Sequence, residues 1–200
     1  MIRAFVAVEL TDELRSAIAR VQTQVKAELA RELRRTAPDA RLQWVRPEAI
    51  HLTLKFLGDI GDAQVEDIAQ ALATAVAPQA RFSMEVGGLG VFPDLRAPRV
   101  LWIGLSGPGP LVSLAQSVDQ ALAGLDFAPE TRPFNPHLTL ARIKERGREV
   151  GKALATTGLL AQTSPLGMLP VSTVALMRSE LKPSGAVYTR LCEIPLQDAH

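Results

Sequence analysis

The sequence predicts an α+β fold. Antiparallel strands carry helices on their outer side, and two lobes related by an internal pseudo-duplication enclose a cleft. Three observations carry this prediction. Extended and helical segments alternate without a uniform βαβ rhythm, which argues against a doubly wound parallel sheet. Several extended segments are joined by short turns, such as Phe92-Pro93-Asp94 and Lys182-Pro183-Ser184-Gly185, as antiparallel neighbours require. The tetrapeptide His51-Leu52-Thr53-Leu54 also recurs letter for letter as His137-Leu138-Thr139-Leu140. No Pro- or Ser-rich linker divides the chain, so residues 1–200 are expected to form a single domain of two intertwined lobes.

In chain order, Ile2 to Glu9 alternates as a strand. Thr11 is a candidate N-cap, with Asp12 and Glu13 in a first turn where acidic groups favour the helix dipole. Leu14, Ile18, Val21, Val25, Leu29 and Leu33 follow helical spacing and predict one long amphipathic helix ending before Pro38. A short extended piece spans Leu42 to Val45, and a strand runs from His51 to Leu57, closed by Gly58. A helix spans about Asp62 to Val76. Arg81 to Val91 reads as a strand bent or bulged at Gly87, Gly88 and Gly90, and Arg99 to Leu105 as another strand. Pro110 suits the first turn of a third helix whose C-terminal cap is Gly124. Pro133 and Pro136 then lead into a strand from His137 to Ile143. A short helix over Glu145 to Thr156 follows, and the chain closes on two strands, Pro170 to Leu181 and Ala186 to Pro195.

Composition narrows the classes. With 47% hydrophobic and 22% charged residues in a chain of 200, there is enough apolar material for a sizeable core and too much for disorder. A formal net charge of +1 means that any anion preference comes from local clustering. One cysteine, Cys192, excludes an internal disulfide framework and fits a reducing compartment. No apolar run reaches the roughly 18 residues of a membrane span, and the apolar start leads straight into a charged helix. A soluble, cytoplasmic protein without membrane attachment is expected.

The repeated tetrapeptide carries the chemistry. The chain has three histidines; two open these repeats, and the third, His200, is the terminal residue. Residues two apart on a strand share a face, so His51 and Thr53 point together, as do His137 and Thr139, while the leucines between them turn into the core. If the two strands face one cleft, two imidazoles and two hydroxyls meet there. Histidine titrates near neutrality, so one of a pair can act as base while the other acts as acid. Threonine hydroxyls donate to anionic oxygens. Such a set suits in-line displacement at phosphorus, with one histidine activating water and the other protonating the departing oxygen.

Other chemistries find less support. A zinc site needs three or four ligands, and neither Asp59 nor Glu180 stands at a telling spacing from the histidines. No Gly-x-Ser-x-Gly elbow and no phosphate-cradling glycine loop occur, and no cofactor is expected. Lys55, four residues after His51, falls on the histidine's face by strict alternation, and its alternative is a solvated strand end. Arg142, five residues after His137, falls on the opposite face and reaches the cleft only if its strand twists or bulges. Phe5 can stack a base or pack in the core. Trp44 and Trp102 are read as core or rim.

The paired motifs resemble those of the 2H phosphoesterase superfamily, and more narrowly the bacterial and archaeal RNA 2′,3′-cyclic phosphodiesterases of the 2′-5′ RNA ligase type. The similarity runs from Arg3-Ala4-Phe5-Val6-Ala7 through His51-Leu52-Thr53-Leu54-Lys55-Phe56-Leu57-Gly58, Pro98-Arg99-Val100-Leu101-Trp102 and Pro136-His137-Leu138-Thr139-Leu140-Ala141-Arg142. It ends at Arg178-Ser179-Glu180-Leu181, with Gly185 and Tyr188. The resemblance implies a bilobal fold with a water-filled cleft between two antiparallel sheets, and metal-independent hydrolysis of a 2′,3′-cyclic phosphate to a 2′-phosphomonoester. It implies His51 as proton donor, His137 as base, Thr53 and Thr139 on the phosphate, and Arg142 as the motif arginine. The expected partner is an RNA with a 2′,3′-cyclic phosphate end, tRNA fragments included, bound by a monomer. The reverse reaction, 2′-5′ joining, belongs to the same chemistry. Two alternatives stay open on the residues alone: a non-catalytic RNA-end binder, and a relative acting on a small cyclic nucleotide.

Overall fold

The described residues build nine strands and four α-helices, in the order β1 (Ile2–Val8), α1 (Asp12–Thr36), β2 (Arg41–Trp44), β3 (Leu52–Ile60), α2 (Gln64–Val76), β4 (Phe82–Phe92), β5 (Val100–Leu105), α3 (Gly109–Ala123), β6 (Leu138–Glu145), α4 (Gly147–Thr157), β7 (Pro165–Val171), β8 (Thr173–Lys182) and β9 (Gly185–Pro195). These come from a computed structural model that describes residues 1–183 and 185–198. Ser184, expected in the last turn, and His200 lie outside the described residues. Short 3-10 turns occupy Pro47–Ala49 and Leu159–Ala161.

All pairings between strands are antiparallel, in the order β7-β4-β5-β6-β3-β1-β8-β9, with β2 also on β6. The order is palindromic about the β6–β3 seam: β6 answers to β3, β5 to β1, β4 to β8 and β7 to β9. One lobe is β3-β1-β8-β9 backed by α2 and α3; the other is β7-β4-β5-β6 backed by α1 and α4. Because α1 leaves β1 yet backs the other lobe, and α3 leaves β5 and likewise crosses over, the lobes are intertwined. The expected pair of separate sheets is instead one hydrogen-bonded sheet, whose lobes meet at a single cross-strand pair, Leu52 with Leu138.

Local chemistry sets the elements. Thr11 caps α1, its hydroxyl accepting from the Leu14 amide at 3.3 Å, which satisfies one of the four free N–H groups of a helix start. Leu14, Ile18, Val25, Leu29 and Leu33 form its buried stripe. Apolar residues behind the sheet join one core cluster that spans both lobes. On the front face, Phe5, Ala7, Ala175 and Met177, with Tyr188 against them, form a small separate cluster. Among the described residues no helix is long and apolar enough to cross a membrane.

Several expectations shift. Gly58 does not end β3; it takes a left-handed φ of 75° inside the strand, a conformation that only glycine adopts cheaply. Both histidines stand just before their strands rather than within them. The expected strand Pro170 to Leu181 is two strands: β7 ends at Val171 and β8 begins at Thr173, so an apolar run with few turn residues hid the break. Gly124 caps α3 without turning left-handed.

Candidate active site

The Leu52–Leu138 pair brings the two motifs together head to head. In an antiparallel register the next residues out place His51 beside Thr139 and Thr53 beside His137. Directly opposed residues share a face. Both leucines are fully buried, so the two histidines and two threonines share the opposite, front face.

Each imidazole is held in the same way. His51 Nδ1 lies 2.9 Å from the Ala49 carbonyl and His137 Nδ1 2.7 Å from that of Asn135. A carbonyl can only accept, so both Nδ1 atoms carry hydrogen and donate it. Nε2 is then the atom that gains or loses a proton in each ring. Aromatic rings flank both. Phe5 and Tyr188 stand 4.5 and 4.9 Å from His51 between ring centroids; Phe92 and Trp102 stand 5.0 and 6.5 Å from His137. The segment before His51 is fixed from behind by Arg15 of α1, whose guanidinium donates to the Glu48 carbonyl at 2.8 Å. Burial pulls the His51 pKa down to about 4, against the opposing pull of the Ala49 carbonyl, and the Arg15 and Arg142 charges add to the fall. Burial likewise raises the Tyr188 hydroxyl, which stays protonated at neutral pH.

Beyond the threonines both strands break their alternation at the same place. Leu101 pairs with Ala141 and Trp102 with Thr139, so Leu140 is an extra residue in β6. Val6 pairs with Lys55 and Ala7 with Thr53, so Leu54 is an extra residue in β3. Burial follows suit: Leu52, Leu54 and Lys55 point back and Phe56 forward, as Leu138, Leu140 and Ala141 point back and Arg142 forward. A bulge of this kind rotates every later side chain to the other face.

The bulges decide three of the expected site residues. Arg142 joins the front face because of the Leu140 bulge, one of the two departures, twist or bulge, that would bring it there. Lys55 is a correction. The Leu54 bulge turns it to the back, where it is 8% exposed, forms an ion pair with Asp119 of α3 and donates to the Ala128 carbonyl at 2.8 Å. Asp119 also accepts the Glu130 amide, so Lys55 braces the loop that leads to His137 and does not face the cleft. Phe5 needs a second correction. It lies on the front face but is only 3% exposed, wedged against His51 and Tyr188, so it shields His51 from water instead of offering a surface to a base. The open ring is Phe56, 70% exposed and 6.1 Å from Phe5. Trp102 is half-buried on the front face, its ring lying over Gly90, while Trp44 packs against the core.

Sequence reasoning passed over Phe92 and Arg15, and it placed Tyr188 only through the family resemblance. None of the three stands at a fixed spacing from a motif. Among the described residues no group of three or more His, Cys, Asp or Glu gathers as a metal site.

Comparison with known proteins places this geometry. A family model described as LigT like Phosphoesterase matches residues 18–102 and again 103–188, one copy for each histidine motif. The chain belongs to the LigT-like phosphoesterase family. It is an enzyme of that family by close relatives as well as by pattern. It is 36% identical to an RNA 2′,3′-cyclic phosphodiesterase of Methanothermobacter thermautotrophicus over 94% of this chain and 95% of that protein. It is 38% identical to one of Aquifex aeolicus over 74% of this chain and 78% of that one. The crystal structure of TT0787 of Thermus thermophilus superposes with a TM-score of 0.75 at 30% identity, covering all of both chains. The two histidine motifs, one in each matched segment, meet on this sheet at the Leu52–Leu138 seam.

Proposed function

We propose that the protein hydrolyses RNA 2′,3′-cyclic phosphate ends to 2′-phosphomonoesters, with the two histidines as acid and base and no metal in the reaction. The observation that carries this reading is the Leu52–Leu138 pair, which sets two imidazoles with identically tethered Nδ1 atoms on one face. The names of the relatives support the substrate class. His137 Nε2 takes a proton from water as the oxygen attacks phosphorus. The bond from phosphorus to the ribose 3′ oxygen breaks, and that oxygen takes the proton of His51 Nε2. Thr53 and Thr139 donate to the non-bridging oxygens, and Arg142 neutralises the charge that builds on them. Phe56 offers an open ring to the terminal base. The reverse reaction, joining ends through a 2′-5′ bond, uses the same groups. In this reading the whole chain works as one monomeric unit in the cytoplasm, on RNA ends that include tRNA fragments.

One observation favours exchanging the histidines' roles. With its pKa held at about 4 by burial, His51 is unprotonated at neutral pH, as a base should be. As the acid, it gains its proton when the substrate phosphate brings a negative charge against it. A leaving group that needs no proton separates the two cases. On a p-nitrophenyl phosphodiester, the variant lacking the acid histidine keeps most of its activity and the variant lacking the base does not. Rescue of His51→Ala supports the assignment above; rescue of His137→Ala reverses it. Product analysis tests the reaction itself: a 2′-phosphate end is expected, and a 3′-phosphate or no product would overturn it.

A further inference from the structure

Two features lie behind the site and outside the reacting groups. Among the described residues only two polar or charged side chains are buried, Gln22 and Lys55, each 8% exposed. Both stand at a bulge. Lys55 directly follows the bulged Leu54, and Gln22 of α1 reaches the bulged Leu140: its amide donates to the Leu140 carbonyl at 3.1 Å and to the Val45 carbonyl at 2.7 Å. The Leu140 carbonyl also accepts the Val45 amide at 2.8 Å.

We propose that Gln22 is a positioning residue for Arg142, its amide fixing the Leu140 bulge in the phase that presents Arg142 to the substrate phosphate. A bulged residue drops out of the regular ladder, and its buried carbonyl is costly unless it finds a donor. The Val45 amide supplies one donor; Gln22 supplies the second and, through the Val45 carbonyl, ties the bulge to the residue that follows β2. Without the bulge, strict alternation would bring Ala141 forward and turn Arg142 into the core-facing layer. An apolar side chain would fill this buried place on α1 at less desolvation cost, and both amide hydrogens are spent on the bulge and its flank.

This inference rests on the phosphate-binding role of Arg142 given above, and the test separates the two. Gln22→Met, Arg142→Ala and the double variant are compared by the affinity of inorganic phosphate in calorimetry and by kcat/KM on a cyclic-phosphate oligonucleotide. Gln22→Met is expected to fold and to weaken phosphate binding about tenfold or more, the scale of a lost charge-assisted hydrogen bond. The double variant is expected to be no worse than Arg142→Ala alone, because Gln22 acts only through Arg142. Leu29→Ala, which truncates a buried residue of the same helix, controls for general destabilisation; it lowers the urea midpoint and leaves phosphate affinity unchanged. Gln22→Asn, which keeps the amide but shortens its reach, gives the same comparison where the methionine variant does not fold. Wild-type phosphate affinity in the Gln22 variant, or losses that multiply in the double variant, would overturn the proposal while leaving the role of Arg142 intact. An Arg142→Ala protein with undiminished phosphate affinity would overturn both.

Discussion

Phe56 and Arg142 occupy the same position in the two halves of the site. Each lies five residues after its histidine, beyond an extra leucine in its strand, and each points to the front face because of that leucine. Two identical tetrapeptides thus end in chemically opposite neighbours, an open aromatic ring on the His51 side and a guanidinium on the His137 side. Asymmetry between the half-sites therefore enters one residue beyond the Lys55 and Ala141 pair, which both bulges turn to the back.

If the ring serves the base, its loss affects binding and not chemistry. Phe56→Ala is expected to raise KM about tenfold for a cyclic-phosphate oligonucleotide, within the range of base–aromatic stacking, with kcat nearly unchanged. Ribose 2′,3′-cyclic phosphate, which lacks a base, should show no such rise. Steady-state kinetics on the two substrates check this.

Lys55 should behave as a brace and not as a substrate contact. Lys55→Met leaves Asp119 without its buried partner, and breaking a largely buried pair costs roughly 3–5 kcal/mol. Removing Asp119 as well, in Lys55→Met with Asp119→Leu, should restore much of that stability. Urea unfolding of the single and double variants reads the effect directly; equal instability in both would contradict it.

The burial of His51 makes the folded protein sensitive to mild acid. The unfolded chain protonates this ring near 6.5, whereas the folded chain resists until about 4. Between those values the unfolded state holds a proton that the folded state lacks, so stability falls as pH drops through this window. Replacement by Asn, which cannot titrate, should flatten that part of the profile. Unfolding midpoints at pH 7, 6 and 5 for both proteins check it, and parallel profiles would rule out the burial of His51 as the cause.

Gly90 leaves room for Trp102. A Cβ at that position would run into the indole ring, which stands 6.5 Å from His137 on the front face. Gly90→Ala should therefore cost about 1–3 kcal/mol of stability through overpacking and lower kcat/KM by displacing the ring. Gly58→Ala, where open space surrounds the backbone, should destabilise through its left-handed φ alone.

The fold was legible where a period persisted. The apolar spacing of α1, the alternation of β1 and the duplicated tetrapeptide each carried through to the structure. The facing of the motif side chains was legible as far as Leu54 and Leu140, which turn to the back as alternation expects, and became unreadable at Lys55 and Ala141. A bulge changes the face of a strand without any mark in the letters, and a buried lysine reads like an exposed one. The bulge signal lies elsewhere, in a glutamine 118 residues away from Leu140 and in an aspartate 64 residues away from Lys55. Phe92 and Arg15 were hidden for the same reason, since tertiary packing and not spacing brings them to the histidines.

The most direct measurement is turnover of a 2′,3′-cyclic phosphate oligonucleotide by folded His51→Ala and His137→Ala proteins in excess EDTA, beside the wild type. Wild-type turnover should persist under EDTA and yield a 2′-phosphate end. Each variant should lose about 10²–10⁴-fold, the usual contribution of a positioned acid or base. Near-wild-type turnover by either variant, or wild-type activity abolished by EDTA and restored by added metal, would contradict two-histidine catalysis at the Leu52–Leu138 seam.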